Sequence, residues 1–169
     1  DLLQADVLLV LSHIKAGDAD KALLVAKQLQ ERMPDSPIPF NIVGLAHMAA
    51  KQYPQSEQAF QAALKQDANF LVAHMNLARL ALIQNKVDDA AAHYQNVLSK
   101  QPEHQGAMLG MASLARSRGD LAELEKWVSK AHDADPSALQ ASLLNQTVAE
   151  NNQRIRQAEE MFDARRRFA

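Results

Sequence analysis

Six histidines are the side chains of this chain best suited to chemistry, because imidazole titrates near neutrality and ligates metals. They stand at His13, His47, His74, His93, His104 and His132, and no two of them are spaced i, i+4. That spacing is what places two imidazoles on one helical face for a single zinc ion. His13 and His47 lie 34 residues apart. If that interval is a structural repeat, their helices are roughly a helix diameter apart, about 10 Å, too far for two bonds of about 2 Å to one ion. The expectation is therefore packing or solvated histidines and no metal. The carboxylates are no more promising. Asp88–Asp89 and Glu123–Glu125 read as charges near the start of helices, on a solvated side. There is no Gly-rich phosphate loop, no G-x-S-x-G elbow and no H-E-x-x-H. Cysteine is absent, which removes thiol catalysis, Cys-ligated zinc and disulfides. The residues thus predict no catalytic group, no cofactor and no enzyme.

What such a chain can do depends on the elements it builds. Of its 169 residues 47 % are hydrophobic and 22 % charged, ordinary for a folded protein with an apolar core. Alanine, leucine and glutamine recur while glycine, proline and aromatics are few, a bias towards helix. Eighteen basic and 20 acidic residues give a net charge of −2. Non-specific nucleic-acid binding needs a basic surplus to displace counterions, so nucleic acid is not an expected partner. No apolar run reaches transmembrane length, so this segment is not expected to insert into a membrane. The chain opens at Asp1 as if already inside a helix, which suggests a piece of a longer protein.

A period of 34 residues organises the sequence. Pro102 and Pro136 are one period apart and Pro34 lies two periods before Pro102, with Ala68 in the slot between. Gly17, Lys51, Asn85 and Gly119 form a second such series. On this frame the repeats are 3–36, 37–70, 71–104 and 105–138, followed by 139–169. Leu9, Val43, Leu77 and Met111 share a large apolar position, and Val10, Gly44, Ala78 and Ala112 follow it. Ala22, Ser56 and Ala90 share a small position that Leu124 breaks. Ala26, Phe60, Tyr94 and Val128 come four residues later, then Leu29, Ala63, Val97 and Ala131. Each unit reads as two amphipathic helices: Val87, Ala90, Ala91, Tyr94, Val97 and Leu98 fall on one helical face. Helices are predicted near 3–16, 19–32, 38–51, 54–66, 71–84, 87–100, 105–118 and 121–133. Gly119 and Asn85 suit the left-handed closing residue, and Pro54 an initial turn.

This pattern resembles the tetratricopeptide repeat (TPR), through V-G at 43–44, S-x3-F at 56–60, L-A at 77–78, A-x3-Y at 90–94 and the prolines. The first aromatic of that family is replaced by Asp6, Phe40, His74 and Met108, and the second by His13, His47, Ala81 and Ala115. The resemblance implies an all-α fold, an α-α superhelix or TPR solenoid of about four and a half helical hairpins, with first helices lining a concave groove. Carried onto this sequence, the family's groove positions include Val7, Leu11, Ile14, Ile38, Ser113 and a partner-binding set: Asn41, Leu45, Met48, Met75, Arg79, Leu82, Leu109 and Arg116. It also implies a protein or peptide partner. The lysines and asparagines of a chaperone-tail clamp are replaced by Val7, Leu11, Ile42, Gly106 and Gly110, so that specialised mode is not expected.

The runs LLVLSHIKAGDADKALLVAKQL, NIVGLAHMAAKQYPQSEQAFQAAL and NLARLALIQNKVDDAAAHYQNVLSKQPEH are also similar to the TPR-repeat lipoprotein of PEP-CTERM/exosortase polysaccharide systems. That implies a periplasmic protein, anchored in the outer membrane through an upstream lipidated cysteine, that assists export of an extracellular polymer. A cytoplasmic TPR adaptor of unrelated process and the substrate-docking arm of a larger enzyme are the alternatives. Residues 139–169 depart from the pattern. They are expected to form a partial fifth repeat or a C-terminal capping helix. Leu143, Leu144 and Val148 would pack on the fourth repeat, and Asn151, Asn152 and Gln153 stand where a turn would fall. Beyond them Ile155, Ala158, Met161, Phe162 and Phe168 form an apolar stripe opposite Arg154, Arg156, Arg166 and Arg167. Exchange of this helix into a second chain, making a homodimer, is the alternative to capping.

Overall fold

The 34-residue period becomes a repeated turn. In a computed structural model describing residues 2–167 (for 139–142, 158, 159 and 161–167 the backbone only), Gly17, Lys51, Asn85 and Gly119 all adopt positive φ, between 58° and 81°. Glycine takes that conformation freely, whereas lysine and asparagine do so at a steric cost. Capping by the same turn offsets it. The amides of Asp18, Gln52, Lys86 and Asp120 bond back to the carbonyls of His13, His47, Ala81 and Ala115 at 2.8–3.0 Å. These six-to-one bonds close the first helix of each hairpin and satisfy carbonyls that would otherwise be orphaned. A second recurring bond joins hairpin to hairpin, from the amides of Ser36, Phe70, His104 and Ala138 to the carbonyls of Met33, Asp67, Gln101 and Asp135.

The described secondary structure is α-helical: α1 (Leu2–Ala16), α2 (Ala19–Arg32), α3 (Pro37–Ala49), α4 (Tyr53–Gln66), α5 (Leu71–Ile83), α6 (Val87–Lys100), α7 (Gln105–Arg118), α8 (Leu121–Ala134) and α9 (Leu139–Arg167). Local chemistry starts several of them. Ser36 accepts from the Ile38 amide ahead of Pro37, Pro54 occupies the first turn of α4, and Asp120 accepts from the Glu123 amide. Asp18 precedes α2 without capping it; its carboxylate pairs with Lys21 instead, which holds its pKa below the usual value.

Two compact units divide the chain, Asp1–Lys100 and Gln101–Ala169. The first holds three hairpins, α1/α2, α3/α4 and α5/α6. Its core is built from the small and bulky positions of the repeat: Val10, Ala22, Ala26, Ile42, Val43 and Ala46 form one buried cluster, and Phe60, Leu77 and Leu80 another. Gly44 and Phe60 show why one slot must be small. An ideal Cβ on Gly44 would stand 2.5 Å from the Phe60 ring. Buried Ser56 donates its hydroxyl to the Gly44 carbonyl at 2.8 Å, tying α4 to α3. One expected core residue departs from the pattern. Leu9 is exposed, although Val43 and Leu77 at the same repeat position are buried, because no helix among the described residues covers that side of α1.

The second unit holds the hairpin α7/α8, with α9 packed on α8. Residues 139–167 form one uninterrupted helix running through Asn151, Asn152 and Gln153, not a fifth hairpin. Leu144 and Val148 are half-buried, Leu143 is exposed, and Asn152 donates to Glu125 at 2.7 Å. Of the C-terminal apolar stripe, Ile155 is described and exposed. The side chains of Ala158, Met161, Phe162, Phe168, Arg166 and Arg167 lie outside the described residues.

Candidate partner-binding groove

In the first unit α1 touches α3 and α3 touches α5, while the second helices approach one another less. First helices therefore contact one another along the unit, the side that the TPR resemblance assigns to the groove. Six of the eight residues assigned to the groove belong here: Asn41, Leu45 and Met48 on α3, and Met75, Arg79 and Leu82 on α5. Leu109 and Arg116 stand on α7, in the second unit.

These six residues play different parts. Asn41 is only 4 % exposed, too deep to offer contact area. Its carbonyl oxygen accepts from the Asn76 carboxamide at 2.8 Å, so it orients Asn76, which is half-buried on the neighbouring helix. Leu45 and Met48 are half-buried and pack against the cluster of Phe60, Leu77 and Leu80. Met75 is half-buried, while Arg79 and Leu82 are exposed. Burial pushes the Tyr94 phenol upward in pKa, and the Arg79 charge opposes part of that rise. On α1, Leu11 is exposed, whereas Val7 and Ile14 pack into the hairpin core with Ile38. The result is a strip of thioether and aliphatic surface with one cation and a carboxamide. Methionine adapts to irregular partners, and an apolar groove with few polar fixtures suits a helix or extended peptide.

A second cluster went unsignalled in the sequence. His74 on α5 and His93 on α6 meet across the third hairpin, Nδ1 to Nδ1, at 3.1 Å, with rings tilted by 42°. They lie 19 residues apart on opposite arms of the turn at Asn85, and the antiparallel pairing of hairpin arms was the available signal. Burial lowers both pKa values; for His93 the His74 charge lowers it further, while Asp89 and Glu57 oppose the shift. A cleft of ≈ 200 Å³ beside His93 is lined by Glu57, Lys86 and Asp89, with a 4.0 Å ion pair between Lys86 and Glu57. Among the described residues no three His, Asp or Glu side chains are grouped to hold a metal ion. No described helix is long and apolar enough to cross a membrane.

Turn, hairpin and groove together define a helical-repeat protein of the binding-scaffold class. Residues 7–69 match the tetratricopeptide repeat, and residues 72–167, more than half of the chain, match the TT21 fifth ARM repeats domain. The chain belongs to the TT21 fifth ARM repeats domain family over that span, and its residues 7–69 carry tetratricopeptide repeats. Among solved structures it is similar to a thermophilic TPR protein of Thermus thermophilus, with a TM-score of 0.76 and 18 % identity, covering 87 % of this chain and 81 % of that one. It is similar also to Pseudomonas aeruginosa pilF, with a TM-score of 0.76 and 13 % identity, covering 95 % and 73 %. At those identities the likeness is one of fold, the all-α TPR solenoid. In sequence, 83 residues are 29 % identical to the cellulose synthase 1 operon protein C of Komagataeibacter xylinus. They make up 49 % of this chain and 6 % of that protein, so the chain spans a small part of its relative.

Proposed function

We propose that this chain is a non-catalytic scaffold that holds a segment of a protein partner in the groove of its first unit, within a bacterial system for exporting or assembling an extracellular polysaccharide. The observation that carries the binding role is the mixed surface of α3 and α5. Half-buried Leu45 and Met48, packed against the core, and half-buried Met75 supply apolar area, and Arg79 and Leu82 stand exposed on the same helix as Met75. Exposed apolar surface rimmed by polar groups is where protein partners dock, which supports this reading. Arg79 would engage a carboxylate or carbonyl of the partner, since guanidinium offers several donors and no acceptor. The polysaccharide setting is supported by the cellulose synthase operon relative and by the exosortase-type phrases in the sequence. The finer reading is a periplasmic, outer-membrane-anchored lipoprotein.

A photo-crosslinking amino acid placed at Leu82, and at Lys65 on α4 as control, tests this in the native host. A protein product of a polysaccharide gene cluster, captured from Leu82 and lost with Arg79→Ala and Met75→Ala together, is the expected result. Equal capture from both positions would remove the groove. Capture from Leu82 of proteins unrelated to polysaccharide would keep the groove and refute the setting. Fractionation of the full-length protein with labelled fatty acid checks the anchor separately.

A further inference from the structure

Between the second and third hairpins the chain departs from its own repeat where departure costs packing. One period earlier, Leu23 on α2 and Ala59 on α4 both pack against the apolar cluster that holds Val10 and Ala46. Their counterparts are Glu57 on α4 and His93 on α6, while Gln52 and Gln55 become Lys86 and Asp89. Titratable groups thus replace apolar side chains and carboxamides, and Glu57, Lys86, Asp89 and His93 line the cleft of ≈ 200 Å³. Exchanging apolar packing for partly buried charge does not stabilise a helical array, because the charged groups lose hydration. A break of this kind in an otherwise consistent pattern is expected where a protein binds something. The cleft has an apolar floor: Leu77, Leu80 and Ala81 of α5 are buried and line it. By helical spacing they lie on the opposite face of α5 from Met75, Arg79 and Leu82, so the cleft is separate from the groove. The rim is not balanced in charge. Lys86 stands 4.0 Å from Glu57, which also accepts from Gln61 at 3.3 Å. Asp89 makes no hydrogen bond or ion pair among the described residues. His93 supplies no offsetting charge near neutral pH, since burial and then the His74 charge lower its pKa, against the pull of Asp89 and Glu57.

We propose that this cleft receives an arginine side chain of a protein partner, its aliphatic stem on Leu77, Leu80 and Ala81 and its guanidinium between Asp89 and Glu57. A volume of ≈ 200 Å³ is below the roughly 300–1,000 Å³ of sites for drug-sized ligands and suits a single side chain. A long cationic side chain satisfies both halves of the cleft, because its methylenes cover apolar surface while its head stays among polar groups. Arginine fits better than lysine. Lys86 already offers an ammonium and leaves Asp89 without a partner, whereas a guanidinium carries its donors in a planar fork that can meet carboxylates on two helices. The scaffold thereby gains an anchoring point on the side of α5 away from the groove, independent of Arg79.

The test is methyl NMR of the full chain, following Leu77, Leu80 and Ala81 during titration with N-acetyl-arginine methylamide and with its neutral isostere, N-acetyl-citrulline methylamide. The arginine probe should give saturable shifts at these methyls. Citrulline should bind at least about tenfold more weakly, because it loses the charge-assisted bonds. Glu57→Gln together with Asp89→Asn should abolish the shifts, while a circular dichroism melt close to the parent's shows the fold intact. Lys86→Met, which removes the competing ammonium, should tighten the arginine probe. Arg79→Ala should leave the titration unchanged, so failure here and failure of the groove are read separately. Absence of saturable shifts, equal binding of citrulline, or shifts that survive the carboxamide pair would overturn the proposal. So would a Lys86→Met protein that binds arginine more weakly. Spermidine binding more tightly than the arginine probe would also overturn it, making the occupant a free amine and not a partner's side chain.

Discussion

Replacing Gly44 by alanine adds one methyl group where the structure leaves no room. Its Cβ would lie 2.5 Å from both Cδ1 and Cε1 of Phe60 and 3.0 Å from Cζ. Carbon pairs are comfortable only at about 3.5–4.0 Å, so ring and helix must separate by roughly 1 Å. Neither can do so freely. Phe60 is fully buried, and the Ser56 hydroxyl, one turn earlier on α4, holds the Gly44 carbonyl. Overpacking of this sort costs about 1–3 kcal/mol. Alanine's better helix propensity returns roughly 0.5–1 kcal/mol, leaving a net loss on the order of 1–2 kcal/mol. For a protein of this size that lowers the melting temperature by about 2–8 °C. Leucine at the same site should cost more, and loosening should spread to neighbouring hairpins in a linear array. The assay is thermal unfolding by far-UV circular dichroism on Gly44→Ala, Phe60→Leu and the double variant. Shrinking the ring should rescue part of the alanine defect, a coupling of at least about 0.5 kcal/mol between residues in contact. A Gly44→Ala protein melting at or above the parent, or a strictly additive cycle, would refute the close-approach reasoning and the repeat register with it.

Three further outcomes follow from the same structure. Ser56→Ala should lose about 1 kcal/mol in the same melt, the net worth of a buried hydrogen bond, because the variant can no longer donate to the Gly44 carbonyl. The His74–His93 pair should make stability fall as pH drops below about 6.5, the ordinary histidine value. Burial lowers both folded pKa values, so the unfolded chain binds more protons in that window and acid favours unfolding. Asp89 and Glu57 moderate the slope, Lys86 stands by, and His74→Phe should flatten a plot of melting temperature from about pH 8 to pH 5. Asn41→Leu should leave the fold in place while releasing the Asn76 carboxamide. The side-chain amide signal of Asn76 in an NMR spectrum should then move towards the random-coil position, and an unshifted signal would show that Asn41 does not orient it.

Most of the fold was legible because a 34-residue period repeats backbone requirements as well as side-chain classes. The series Gly17, Lys51, Asn85 and Gly119 could be found from two glycines alone, and all four members share one left-handed turn. Lys51 is the instructive member, since no propensity argument would place lysine there; only its register does. The small slot at Gly44 was legible for the same reason, although its closest neighbour Phe60 had to be seen. Three things were not legible. Leu9 carries the pattern of a core residue, but burial needs a covering helix, and pattern on one element cannot report the presence of the next. Asn41 occupies a groove position yet lies beneath the surface, because the depth of a groove depends on how closely α3 and α5 approach. His74 and His93 are far apart in sequence and carry no shared motif, so only the pairing of hairpin arms brings them together. In each case the missing information is a contact between helices, whereas what the period transmits is conformation within one hairpin. For a scaffold this division matters. The positions that pack the hairpins are repeated and readable, but the exposed ones proposed to meet a partner, Arg79 and Leu82 above all, stand outside the repeat's packing rules and are free to differ from one hairpin to the next.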